Sequence, residues 1–356
     1  MHNKNCKAMI FTDTDRGGII HVANIKGGVG KSTVATNLSA ALAMRGPTLI
    51  IDLDGQGSAT HALGRDPVEF NDSSSDLFKN RYSLNKSNEF SKLPTIQKFK
   101  KLCNDTESFL FPQIVGKNDI RSLIVKIKPC LDLIPANSYL YKQVTFYQIQ
   151  NLLFNIQLCR KYYKYIIIDT PSVWNNLTQT LYNHSTLNLI PVTLNSLSTK
   201  SLRDYLKEIK ILSRKKPNMR IRIIKNEVFG SEQSKIKGKT RTMRENRQFL
   251  ESLCEQIVID NESGFSLLPQ SVIFNIEIPE SATIRNAQDL GKTVNEYRQY
   301  SSVSKSFEEL AKQVQYVLNN PVVKKASNKF KMDEKKFRFV AKAVTTLIVL
   351  SFFISN

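Results

Sequence analysis

The run Lys26-Gly-Gly-Val-Gly-Lys-Ser-Thr33 holds the residue types that polyphosphate chemistry needs. Gly27, Gly28 and Gly30 bare the backbone on either side of Val29, so several N–H groups converge on phosphate oxygens. Lys31 adds a point charge against the β- and γ-phosphates, and the Ser32 hydroxyl suits a Mg²⁺ ligand. The usual phosphate loop has a further glycine five residues before its last one, where this chain has Ile25. A second lysine, Lys26, opens the loop instead.

Such a loop works only between a strand and a helix, and the flanking residues supply both. Gly18-Ile-Ile-His-Val-Ala23 reads as a buried strand, and a helix follows from about Ser32 to Met44. Further strands are expected at Thr48–Asp52, Tyr165–Asp169, Leu187–Val192 and Arg220–Lys225, with a helix around Tyr147–Tyr163. Short apolar runs without alternation, separated by helix-length segments, indicate a parallel sheet covered on both faces. Residues 71–119 are polar and weakly periodic, and are expected to form a partly helical insertion before Leu131-Asp-Leu-Ile-Pro135.

With 41% hydrophobic and 23% charged residues, the 356-residue chain is neither collagen-like nor wholly disordered. Five scattered cysteines without a Cys-x-x-Cys pair argue against a disulfide framework or thiolate zinc site, and for a reducing cytosol. The four histidines show no metal-ligand spacing. The net charge of +20 favours a polyanionic partner. It is concentrated at residues 200–247 (+11), 324–342 (+6) and 79–101 (+6), leaving the rest slightly acidic.

The loop with its extra lysine resembles the deviant Walker A motif of the ParA/MinD ATPases. Ile51-Asp-Leu-Asp-Gly-Gln-Gly-Ser-Ala-Thr60 is similar to the segment that follows it in that family. Tyr165-Ile-Ile-Ile-Asp-Thr-Pro171 resembles the Walker B strand, and Ile278-Pro-Glu-Ser-Ala-Thr-Ile-Arg-Asn-Ala-Gln-Asp-Leu-Gly-Lys292 the family's late conserved block. The resemblance runs from about Gly18 to Val317. It implies an α/β P-loop NTPase with a mostly parallel twisted sheet and helices on both faces. It also implies ATP and Mg²⁺ as cofactors.

Residue roles follow from the same resemblance. Lys26 reaches the partner's nucleotide in an ATP-bound homodimer, where a cation supplied in trans offsets charge on the transferring phosphoryl group. Asp54 positions the attacking water, Asp169 holds Mg²⁺ through water, and Asp52 supports the loop and the metal shell. Thr33 contacts the α-phosphate, while Asn226, after the fifth strand, and the pair Ile278 and Pro279 contact adenine. Three departures stand out: Gly55 and Ser172 occupy positions where the family has proline, and Glu280 one where arginine is common.

The implied function is plasmid or chromosome partition, with hydrolysis of ATP to ADP and phosphate stimulated by a ParB-like centromere-binding protein. The basic block 200–247 would bind DNA without sequence preference, in the cytoplasm and on the nucleoid. Domain organisation is expected as an extension (1–17), the ATPase domain (18–319), a basic linker (320–336) and a C-terminal helix (337–356). The uncharged run Ala343 to Ile354 spans only about 18 Å as a helix. Lying in the interface of an anionic membrane, with Lys324–Lys342 on the headgroups, is physically easier than spanning. That tail keeps a MinD-like, membrane-associated positioning ATPase as the alternative.

Overall fold

The computed structural model describes residues 17–82, 119–137, 140, 144–194, 196–213, 219–228, 245–253 and 272–320. Most of the 71–119 insertion, the basic residues 235–244 and the expected linker and tail lie outside the described residues. The chain divides into two compact units, Met1–Asn319 and Asn320–Asn356.

Among the described residues, eight strands form one sheet: β1 (Gly18–Val22), β2 (Thr48–Asp52), β3 (Val125–Lys128), β4 (Leu131–Ile134), β5 (Tyr165–Asp169), β6 (Leu187–Thr193), β7 (Ile221–Val228) and β8 (Ile273–Pro279). Their order is β3-β4-β2-β5-β1-β6-β7-β8. Only β3 runs antiparallel, against β4 at one edge. The expected α/β class is therefore what the described residues adopt.

Strand residues alternate between two faces. Ile20, Ile50 and Ile167 pack with α1 (Lys31–Ala43), α7 (Ala282–Asp289) and α9 (Ser302–Asn319). On the other face Ile19, Leu49, Ile51, Ile166 and Ile168 meet α4 (Phe146–Cys159) and α5 (Asn176–His184). Farther along that sheet, Ile190, Val192, Ile221 and Ile223 pack with α6 (Ser196–Ser213) and the helical stretch 245–253. The remaining short helices are α2 (Ser58–Ala62), α3 (Asp76–Lys79) and α8 (Val294–Tyr297).

Both faces of the central strands are thus covered, which is why their sequences read as unbroken apolar runs. Helix α1 is buried from Val34 through Ala43, and its small residues Ala35, Ser39, Ala40 and Ala41 let the sheet approach closely. The described part of the insertion is not all surface: Leu77, Phe78 and Tyr82 join the second core. Asn155 of α4 fixes them by donating to the Leu77 and Asn80 carbonyls and accepting from the Tyr82 N–H.

Two local features depart from the sequence expectations. Strand β7 continues to Val228, so Asn226 lies within it, paired with Thr193, and not after it. Cys130, in the β3–β4 turn at φ 61, is disulfide-bonded, against the expectation of reduced cysteines. Cys159 is a free, buried thiol.

Candidate phosphate-binding site

Strand register assembles the site. Val22 of β1 lies beside Asp169 of β5, which lies beside Asp52 of β2. The glycine loop and both aspartates therefore leave neighbouring strands at the same, C-terminal edge. The order reverses there, with β1 between β5 and β6, and such a switch point is where open α/β sheets bind ligands.

The loop is held from both sides. Asn24 donates to the Pro191 carbonyl at 2.8 Å and accepts from the Lys26 N–H at 3.0 Å, tying the loop entrance to β6. Gly28 and Gly30 take φ of 71° and 82°, the left-handed region that glycine occupies without strain. Asn226 donates to the Val29 carbonyl at 2.9 Å. An added Cβ on Gly30 would lie 2.1 Å from the Asn226 amide nitrogen, so the glycine also makes room for that contact. Nδ2 is committed to the loop, and Oδ1 of Asn226 is buried with no hydrogen-bond partner.

The two strand-end aspartates have different surroundings. Asp52 accepts from the Asp54 N–H (3.1 Å), the Thr60 N–H (2.9 Å) and the Thr60 hydroxyl (2.8 Å). Burial pushes its carboxyl up to about 6, and those hydrogen bonds offset part of that shift. It organises the segment from Asp54 to Thr60, which places the half-exposed Asp54 at the mouth of the site. Asp169 is fully buried, and neither of its oxygens has a hydrogen-bond partner. Burial first, and then the neighbouring Asp52, raises its pKa well above the usual carboxylate range. The Ser32 hydroxyl and the Lys31 ammonium lie near enough to offset some of this.

A buried carboxylate without partners is costly unless a proton or a cation joins it. Asp169 facing Ser32 is a fitting donor set for a hard divalent cation, which takes oxygen ligands and water. Lys31 sits beside it, nearly buried, and donates to the Ser172 hydroxyl. Burial lowers the Lys31 pKa, and Asp169 and Asp54 raise it. The residues present thus fit both a polyphosphate and Mg²⁺. Ile278 is buried near the end of β8, and Pro279 pairs with Val228, two residues beyond Asn226 on β7.

One buried group escaped sequence reading. His21, in β1, bonds Asn188 through Nδ1 and Thr170 through Nε2, each at 3.1 Å, and meets Tyr182 edge-on. Burial holds it at about 4 and therefore neutral. Thr170 follows Asp169 directly, so this network braces the strand end that carries the unpartnered carboxylate. The only sequence signal was a histidine inside an apolar strand.

The basic block 200–247 is partly spent inside the molecule. Lys225 and Arg247 both pair with Glu277, each at 2.8 Å, and Arg220 donates to the Val317 carbonyl. Burial brings the Arg222 guanidinium down to about 10. On α6 the buried side is Leu202, Tyr205, Leu206 and Ile209, with Arg203 and Lys207 exposed opposite. Arg203 lies over the Phe249 ring, and Lys207 pairs with Asp204.

Comparison with known proteins bears on this geometry. The family model described as an AAA domain, AAA_31, matches residues 17–223. The chromosome partitioning protein ParA of Caulobacter vibrioides is 24% identical over 306 residues, covering 83% of this chain and 93% of that protein. Among solved structures, a McdA–ATP complex from Cyanothece superposes with a TM-score of 0.59 at 19% identity, over 84% of this chain and 97% of that one. MinD of Pyrococcus furiosus does so with a TM-score of 0.52 at 17% identity, over 85% and 99%. The match over residues 17–223, more than half of the chain, places it in the AAA domain family, as a ParA-type P-loop ATPase.

Proposed function

We propose that the protein is a partition ATPase that dimerises on ATP, binds DNA without sequence preference, and hydrolyses ATP to ADP and phosphate to move a plasmid or chromosome. The observation that carries the catalytic part is the unpartnered Asp169 carboxylate, buried beside Lys31 and Ser32 at the mouth of the glycine loop. Ser32 and, through water, Asp169 would hold Mg²⁺, with Asp52 behind them, and the ion would neutralise charge developing on the phosphates. The N–H groups of Gly27, Gly28, Val29 and Gly30 cradle the phosphates, and Lys31 neutralises them.

Asp54 orients the attacking water, and Lys26 enters the partner subunit's site in the dimer. Thr33 donates to the α-phosphate. Asn226 presents its oxygen as an acceptor, which favours the amino group of adenine over the carbonyl of guanine. Ile278 and Pro279 close over the base. A ParB-like partner stimulating turnover is the counterpart of this cycle.

The deciding experiment is co-sedimentation with DNA and with anionic liposomes, at low salt, with ATP, ADP or no nucleotide. ATP-dependent pelleting with DNA is expected. Absence of DNA binding under all three conditions sinks the partition reading. Pelleting with liposomes alone moves the chain to the MinD-like reading that its C-terminal sequence favours.

A further inference from the structure

Helix α1 carries four hydroxyl side chains, Ser32, Thr33, Thr36 and Ser39, and the last three differ in their hydrogen bonds. Thr36 donates to the Ser32 carbonyl at 2.8 Å, and Ser39 to the Ala35 carbonyl at 2.6 Å, each spending its hydrogen on the preceding turn. Thr33, one position beyond Ser32, makes no such back-bond among the hydrogen bonds described. Its Oγ1 instead accepts from Nε2 of Gln288, at 2.9 Å, from a residue 255 positions away. A hydroxyl has one hydrogen to donate and two lone pairs. With Gln288 supplying a donor to the oxygen, the Thr33 hydrogen is left to point elsewhere.

Gln288 itself is firmly placed. It lies in the last turn of α7, whose Ile284 and Ala287 are buried and whose N-terminus is capped by Ser281 onto the Thr283 N–H. Just beyond it, Gly291 at φ 62 abuts Gly64 at φ 73, the residue after the Leu63 C-cap of α2. A Cβ on Gly291 would fall 2.4 Å from the Gly64 Cα, so only glycine permits this backbone contact. The carbonyl of Gln288 also accepts from the Gly291 N–H at 2.9 Å, closing the helix end. The amide is thus carried on a helix clamped between the sheet and the segment that leads from Asp54.

We propose that Gln288 is a positioning residue of the nucleotide site: it holds the Thr33 hydroxyl as a donor aimed at the α-phosphate. The proposal rests on Thr33 contacting the α-phosphate. It predicts an effect shared by ATP and ADP, which have that phosphate in common, and none on the transfer of the γ-phosphoryl group.

The test measures ATP and ADP affinity, kcat and melting temperature for the full chain and for Gln288→Ala, Gln288→Glu, Thr33→Val and the Thr33→Val/Gln288→Ala double variant. Gln288→Ala should weaken both nucleotides by about fivefold, with kcat at saturation unchanged. Gln288→Glu keeps the shape but turns the donor into an acceptor that captures the Thr33 hydrogen. It should weaken both nucleotides at least as much, at an unchanged melting temperature. In the Thr33→Val background, Gln288→Ala should have no further effect, because its target is gone. Additive losses, or wild-type affinity in Gln288→Ala or Gln288→Glu, overturn the proposal while leaving Thr33 in its role. Wild-type affinity in Thr33→Val removes the α-phosphate contact itself, and the proposal with it.

Discussion

The glycine loop sets the tolerance of the site residue by residue. Gly30 combines a left-handed φ of 82° with the Asn226 amide nitrogen 2.1 Å from any added Cβ. Gly27 has neither constraint, its nearest neighbour being the Ser172 hydroxyl oxygen at 4.0 Å. Gly30→Ala should therefore cost about 1–3 kcal/mol of stability, from left-handed strain and displacement of Asn226. Gly27→Ala should stay within about 0.5 kcal/mol of the parent. Urea unfolding of the two variants checks this, and equal losses would mean that the Asn226 contact is immaterial.

Lys26 calls for a different readout, since its proposed work is done in the partner's site. Lys26→Ala should abolish hydrolysis while nucleotide affinity changes by less than about threefold, because the monomer's phosphate contacts are untouched. Wild-type turnover would exclude the trans role. The loop was legible in the sequence because its chemistry is local and contiguous. The Asn226 orientation and the Gln288 contact were not, since they join residues 197 and 255 positions apart that only the folded sheet brings together.

At the level of single elements, β1 carries a pH-sensitive brace. His21 has a folded pKa of about 4 against 6.5 for an exposed imidazole, because burial disfavours its charged form. The unfolded chain therefore binds more protons between those values, and stability falls as pH drops through that window. At pH 5 this one group should cost about 2 kcal/mol relative to pH 7. Asp52, raised to about 6, acts in the opposite sense: the folded state holds the extra proton, so its contribution weakens as pH rises from about 4 to 6. Comparing the parent with His21→Gln isolates the first effect, since Asp52 is common to both. The parent should lose about 2 kcal/mol more than the variant between pH 7 and pH 5. An identical pH dependence in the two proteins would show that His21 charges without cost.

The elements themselves were unevenly legible. The five central strands announce themselves because both of their faces are buried. Strand β3 has alternating lysines, as an edge strand with one wet face does, and it pairs antiparallel with only one neighbour. Strand β8 mixes Asn275 and Glu277 with apolar residues, since it closes the other edge and its Glu277 neutralises Lys225 and Arg247. In α9 the apolar positions Val303, Phe307, Leu310, Val314 and Val317 recur every three or four residues, a signal present in the sequence but not picked out from it.

Across the described residues, part of the positive charge of the 200–247 block is spent inside the fold. Within the described part of the 200–247 block, several cations are engaged by Glu277, Asp204 or backbone carbonyls, and Arg222 lies half-buried in the sheet. Arg203 and Lys207 remain at the surface of α6. A DNA footprint built from few phosphate contacts has a shallow salt dependence, because the slope scales with the number of phosphates neutralised. If binding needed the full net of +11 in that block, log affinity against log salt would fall with a slope of roughly −10. Cations spent inside the fold do not contribute, so the proposed DNA binding should show a slope shallower than that.

Asn320–Asn356 is a second unit of the chain, and its sequence carries its own basic run. On the proposed function, a chain ending at Asn320 should bind DNA with ATP at the same salt slope as the full chain, yet lose any adsorption to anionic liposomes. Titrating both chains on DNA from low to moderate salt measures the slope, and flotation on liposomes measures the adsorption. A slope that collapses on truncation would place the DNA-binding cations at 324–342, on the second unit and not on α6. Liposome binding that survives truncation would assign the membrane contact to the ATPase unit itself.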